Sequence, residues 1–162
     1  MKTLYIVRHA KSSWSYSNIG DIDRPLKKRG IKDAYLMSEF LAKKINRPDV
    51  FISSVANRAL HTAVIFCQKF NYPLSNLKIK QELYNFNNGY LLKTVKALDN
   101  SFDSAIIFSH DHGINTFVNK FGSIPIAQVT TCGVIVIEFN EKHWKNIKNG
   151  KTVLIDYPKN QR

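Results

Sequence analysis

Short apolar runs alternate with longer segments of helical spacing, and that alternation constrains the fold more than any other feature of the chain. Residues 3–7, Val50-Phe51-Ile52-Ser53-Ser54 and Ser104 to Ser109 are brief β-branched and aromatic runs, which read as buried strands. Between them, Ala34, Leu36, Met37, Phe40, Leu41 and Ile45 recur at helical spacing, with Gly30 near the start and Pro48 as the stop. Ala59 to Phe70 forms a second helical segment, Leu91 to Leu98 a third and Gly113 to Phe121 a fourth. Lys78-Ile79-Lys80 reads as an edge strand, and Val134 to Ile137 and Thr152 to Ile155 as late strands that pair antiparallel. Strands alternating with helices predict an α/β fold: a three-layer α/β/α sandwich with a central, mainly parallel sheet. The 162 residues suit a single domain over 1–162.

In a parallel sheet the C-terminal strand ends share one edge, where open α/β sheets bind ligands. Three such ends carry chemistry here. The first presents Arg8 and His9, the second Ser53-Ser54 followed by Arg58, and the third Ser109-His110-Asp111-His112-Gly113. Arginine forks match phosphate oxygens, and a histidine nitrogen can attack phosphorus or move a proton near neutral pH. Two arginines and two histidines around one point make a phosphate trap.

These motifs in this order resemble the histidine phosphatase superfamily, which shares the phosphoglycerate mutase-like fold, and within it the SixA-type phosphohistidine phosphatases. The resemblance rests on Val7-Arg8-His9-Ala10-Lys11-Ser12-Ser13-Trp14, Asp23-Arg24-Pro25-Leu26 with Arg29-Gly30, Ser53 to Ala59 with Thr62-Ala63, Leu83-Tyr84, and Ser109 to Ile114. Alanine at position 10, where the superfamily pattern has glycine, is the SixA-like form. The resemblance implies that His9 is the nucleophile, Arg8 and Arg58 the phosphate clamp, and His110 the second pocket histidine. It implies no metal and no cofactor. Many members carry a glutamate as general acid where this chain has Asn85, and asparagine supplies no proton there. Glu82 is the nearest alternative, with Asp21, Asp23 and Asp111 as further carboxylates. Lys11 and Arg24 are candidates for the pocket rim. The missing acid suits phosphohistidine, whose imidazole departs with little help, better than a sugar or alkyl phosphate.

Two other readings stay open. One is a phosphatase for small phosphate esters, with Glu82 or an aspartate as acid. The other is a basic module that holds phosphoproteins or nucleic acid without catalysis, suggested by 24 Lys and Arg against 12 Asp and Glu, a net charge of +12. The basic residues are dispersed, with no run of five or six, which disfavours a nucleic-acid partner. The expected partner is a phosphohistidine-bearing protein or a small phosphorylated substrate. No apolar stretch reaches membrane-spanning length and no signal peptide is evident, so a cytoplasmic, membrane-free protein is expected. Cys67 and Cys132 lie in apolar settings and read as buried thiols. Tyr84, Phe86 and Tyr90 read as packing; His61, His112 and His143 read as a helix residue, a turn residue and a surface residue.

Overall fold

The computed structural model describes residues 1–85 and 88–162. Six strands form one sheet: β1 (Lys2–Arg8), β2 (Val50–Ser54), β3 (Lys78–Lys80), β4 (Ser104–Ser109), β5 (Val134–Phe139) and β6 (Lys151–Asp156). Their order is β3-β2-β4-β1-β5-β6. The first four are mutually parallel, whereas β5 runs antiparallel to both β1 and β6. The sheet is therefore mainly parallel, with one reversed strand near its edge.

Side-chain alternation along the strands splits the core into two layers, because successive residues face opposite sides of a sheet. Leu4 and Ile6 join one cluster with Ile107, Leu91, Val95, Ile114 and Phe117. Tyr5 and Val7 join the other with Phe108, Ala34, Met37, Leu41 and Phe66. Helices α3 (Asn88–Lys96) and α4 (Gly113–Phe121) cover the first face, and α1 (Lys28–Lys44) and α2 (Asn57–Lys69) cover the second. Each buries a stripe at helical spacing: Ala34, Met37, Ser38 and Leu41 in α1, and Ile114, Phe117, Val118 and Phe121 in α4. The arrangement is the three-layer α/β/α sandwich expected.

The boundaries differ from the sequence expectation in instructive places. α1 begins two residues before Gly30, because Gly30 lies inside the helix where it presses on the backbone of Lys11: an added Cβ would run into the Lys11 carbonyl oxygen. α3 begins at Asn88 and ends at Lys96, earlier at both ends than its apolar residues suggest. A short helix, α5 (Pro158–Gln161), was not foreseen from the sequence and packs against α1. The stretch between β1 and α1 is irregular as expected. It is tied back by a Ser12–Leu26 bridge, by Ser13 N–H donating to Pro25 and by Lys27 N–H donating to Lys11. Among the described residues no helix is long and apolar enough to cross a membrane.

Candidate active site

The parallel register aligns three strand ends. Arg8 stands opposite Ser109 across β1 and β4, and Ser53 opposite Phe108 across β2 and β4. Arg8, His9, Lys11, Ser12, Trp14, Arg24, Arg58, His110, Asp111 and Thr131 then line one cleft of about 230 Å³. Of the candidate residues, Arg8, His9, Lys11, Arg24, Arg58, His110 and Asp111 meet there. Glu82 and Asn85 do not line it; they border neighbouring hollows.

His9 is buried, and its Nδ1 lies 2.8 Å from the Ala10 carbonyl oxygen. A carbonyl only accepts, so Nδ1 carries the hydrogen and Nε2 keeps its lone pair. Burial pushes the pKa of His9 down to about 4; the Ala10 hydrogen bond opposes this, and Arg58, Arg8 and Arg24 reinforce it. The result is a neutral imidazole at physiological pH, as a nucleophile requires.

His110 is buried beside it, the ring centroids 5.2 Å apart. Its Nε2 is 2.9 Å from the Ser54 hydroxyl oxygen, which also accepts from the Ala56 N–H. Burial, followed by the proximity of His9, pushes its pKa down to about 3. Thr62 stitches the two sides of the site, accepting from the Ala10 N–H and donating to the Arg58 carbonyl.

The arginines are held from behind. Arg8 Nη1 donates to the Val129 carbonyl at 2.9 Å. Arg58 donates from Nη1 to the Asp21 carbonyl at 2.8 Å and from Nη2 to the Asp21 carboxylate at 3.1 Å. Among the described residues, the buried Nε atoms of Arg8 and Arg58 have no acceptor. Unspent buried donors are costly unless a ligand takes them up. Arg24 also reaches Asp21, donating from Nε at 3.1 Å, and lies 3.5 Å from the centre of the exposed Trp14 ring. Its ion-pair partner is Asp21, not its neighbour Asp23.

Asp21 is thus a hub that sequence reading left as one carboxylate among several. It also accepts from the Tyr84 hydroxyl at 2.6 Å. Partial burial pushes its pKa up, but Tyr84, Arg58 and Arg24 outweigh this and hold it below the usual carboxylate range. A carboxylate so held is an anchor, not a proton donor. Tyr84, expected to be packing, stands edge-on to His110 with ring centroids 5.8 Å apart. The segment after β3 therefore reaches the site through Tyr84 rather than through Glu82 or Asn85. Phe86 lies outside the described residues.

Because β5 is reversed, it starts at the same edge where β1 ends, and the chain leading into it adds Val129 and Thr131 to the site. Cys132 in that stretch adopts a left-handed backbone (φ 59°), and its N–H donates to the carbonyls of both Arg8 and His9. No motif in the sequence announces these contacts. Asp111 completes the wall, its Oδ2 accepting from Gln128 at 3.0 Å. His112 is exposed and His61 stands away from the cleft. Cys67 and Cys132 are buried and free; burial pushes the Cys67 thiol up to about 12. Among the described residues no three His, Cys, Asp or Glu side chains cluster to hold a metal ion.

The profile of the Histidine phosphatase superfamily (branch 1) matches residues 4–94, more than half of the chain. The chain belongs to the histidine phosphatase superfamily. Residues of this superfamily member are 37% identical over 71 positions to phosphoglycerate mutase 1 of Saccharomyces cerevisiae, covering 43% of the chain but 29% of the yeast protein. An uncharacterised protein of Mycobacterium tuberculosis matches over nearly its whole length, at 22% identity across 93% of this chain and 98% of the other. In fold, the chain is similar to the protein histidine phosphatase SixA complexed with tungstate, with a TM-score of 0.84, 21% identity and 99% of each chain covered.

Proposed function

We propose that this chain is a metal-independent phosphatase that works through a phosphohistidine on His9 and takes phosphohistidine on proteins as its substrate. The observation that carries the proposal is the pairing of a neutral His9, its Nδ1 bonded to Ala10 and its Nε2 lone pair kept, with a cleft walled by Arg8, Arg24 and Arg58. Phosphoryl transfer needs positioning and charge neutralisation more than elaborate covalent chemistry, and this cleft offers both. That the similar SixA structure holds tungstate, a tetrahedral oxyanion, agrees with this reading.

The geometry supports the following steps. The substrate phosphoryl group settles against the unspent donors of Arg8 and Arg58. Its negative charge favours a proton on His110, whose pKa is otherwise driven down by burial. His9 Nε2 attacks phosphorus as the substrate's P–N bond breaks, and the departing imidazole keeps its electron pair and takes a proton. Water then attacks the phosphoryl group on His9, releasing phosphate and restoring the imidazole.

The leaving group sets which substrate class suits this cleft. An alkoxide needs a proton donor, whereas imidazole leaves as a neutral or protonated base. Asn85 and Glu82 stand off the cleft lining, and Asp21 is held ionised by Tyr84 and two arginines. A site equipped in this way favours a phosphoramidate over an ester. The test is kcat/KM for a phosphohistidine peptide against a panel of sugar, nucleotide and serine phosphates. The expected preference for phosphohistidine is at least about 100-fold, the scale of one missing general acid. Equal or better turnover of an ester would overturn the substrate class.

A further inference from the structure

The phosphate cleft does not end at Lys11. A second hollow of about 210 Å³ adjoins it and shares Lys11 and Thr131 with it. Its remaining cations are Arg29, Lys159 and Arg162. Among the described residues its only side-chain carboxylate is Asp33, which is buried and already bonded by Arg162 at 2.9 and 3.1 Å, with Arg29 4.0 Å away. Four cationic side chains thus face one side-chain carboxylate that is already spoken for.

The hollow is built, not a chance meeting of surface lysines. Gly30 lets α1 press on the Lys11 backbone, while Lys27 N–H donates to the Lys11 carbonyl, so Arg29 is set beside Lys11. The Tyr157 ring packs where a side chain at Gly133 would stand, and its hydroxyl donates to Gln128. That fixes α5, and with it Lys159 and Arg162, against the same 129–133 stretch that holds Arg8 and His9.

We propose that this second hollow is a substrate subsite that takes the acidic surface flanking the phosphohistidine of a protein. The proposal rests on the phosphohistidine phosphatase reading and deepens it: the first cleft takes the phosphoryl group, and the second takes side-chain carboxylates a few residues away. Charge complementarity at an exposed rim mainly sets encounter and partner choice, so the subsite is a specificity device. Arg29 and Lys159 touch no part of the phosphate cleft.

The test compares phosphohistidine peptides flanked by glutamate, glutamine or lysine, on wild type and on an Arg29→Glu/Lys159→Glu double variant. Wild type is expected to favour the glutamate peptide over the glutamine peptide by about fivefold in kcat/KM at low salt, a preference that shrinks in high salt. The double variant is expected to favour the lysine peptide instead. The same order of preference in both proteins would overturn the subsite. A second measurement needs no turnover: anisotropy of the unphosphorylated, fluorescein-labelled peptides, with Lys159→Gln as the milder variant. Acidic-peptide binding that weakens in Lys159→Gln supports the subsite; binding unaltered by the substitution removes it. A single-stranded oligonucleotide that binds more tightly than the glutamate peptide, and loses affinity in Lys159→Gln, would reassign the hollow to nucleic acid and overturn the proposal. The two readings fail separately. Acidic-peptide binding without turnover of any phosphohistidine peptide sinks the phosphatase reading alone. Turnover without charge preference sinks the subsite alone.

Discussion

Two cations stand at opposite ends of β1, one buried and one half-buried, and they are treated in opposite ways. Lys2 is 2% exposed, and its ammonium donates to the carbonyls of Asn100 and Phe102, both at 2.8 Å, and to Asp103 at 3.2 Å. Three donors meet three acceptors, and the ring of the buried Trp144 lies 5.6 Å away. Arg8 is held through Nη1 to Val129, yet its buried Nε has no acceptor among the described residues. A buried cation with every donor spent is a staple. A half-buried cation with a buried donor in reserve, next to a neutral histidine, is a site waiting for an anion.

The sharpest way to break this contrast is a pair of isosteric substitutions. Arg8→Met is expected to lower kcat/KM by about 10³-fold, the scale of a charge-assisted clamp on a transferring group. Its melting temperature should stay close to wild type, because the removed group is incompletely paired. Lys2→Met is expected to do the reverse, leaving kcat/KM near wild type and costing about 2–3 kcal/mol of stability through its stranded acceptors. Steady-state kinetics and urea unfolding on both variants decide the matter. An inactive but stable Lys2→Met would erase the distinction.

Acid titration probes the same contrast through His9. Its pKa in the folded chain, about 4, lies below the ordinary 6.5. Between those values the unfolded chain binds a proton that native His9 refuses, so stability falls as pH drops from 6.5 towards 4. The loss is about 1.4 kcal/mol per pH unit for one such group and levels off below the folded pKa. His110, pushed down to about 3, adds to it. Urea unfolding at several pH values should show a slope shallower by about one proton in His9→Gln. An unchanged slope would mean that His9 titrates normally.

Smaller effects sharpen the picture of how the arginines are held. Asp21→Asn weakens the hold on Arg24, Arg58 and Tyr84 together. It is expected to cut kcat on a phosphohistidine peptide by about tenfold, the scale of a misplaced clamp. It should also move the alkaline limb of the pH–rate profile to lower pH, because Asp21 raises the pKa of His110, which works protonated. Asn85→Ala is expected to change phosphohistidine turnover by less than about twofold, since Asn85 stands off the phosphate cleft. A loss of tenfold or more in Asn85→Ala would return that position to the chemistry.

The sequence is most legible where chemistry follows directly from strand position. Arg8, His9, Arg58 and His110 sit at or just beyond the ends of parallel strands, and parallel pairing alone brings such ends to one edge. Asp21 and Tyr84 were not legible as partners, because 63 residues separate them and their meeting depends on how two irregular segments fold. The 129–132 stretch was equally silent: it joins the site only because β5 runs against β1. The burial of Lys2, beside Met1, follows from carbonyls of residues 100 and 102 that no local pattern reveals. Asn85 shows the limit of motif position, since Tyr84, the residue before it, reaches His110.

The most direct test of the account is to trap the phosphoryl group. Wild type and His9→Ala are mixed with a phosphohistidine peptide, quenched within milliseconds in alkali, which preserves a phosphoramidate, and mapped by peptide mass. One phosphoryl group on the peptide containing His9, in wild type only, together with phosphate release, is the predicted result. A phosphoryl group on another residue, or phosphate release by His9→Ala at the wild-type rate, would contradict the role of His9 as nucleophile.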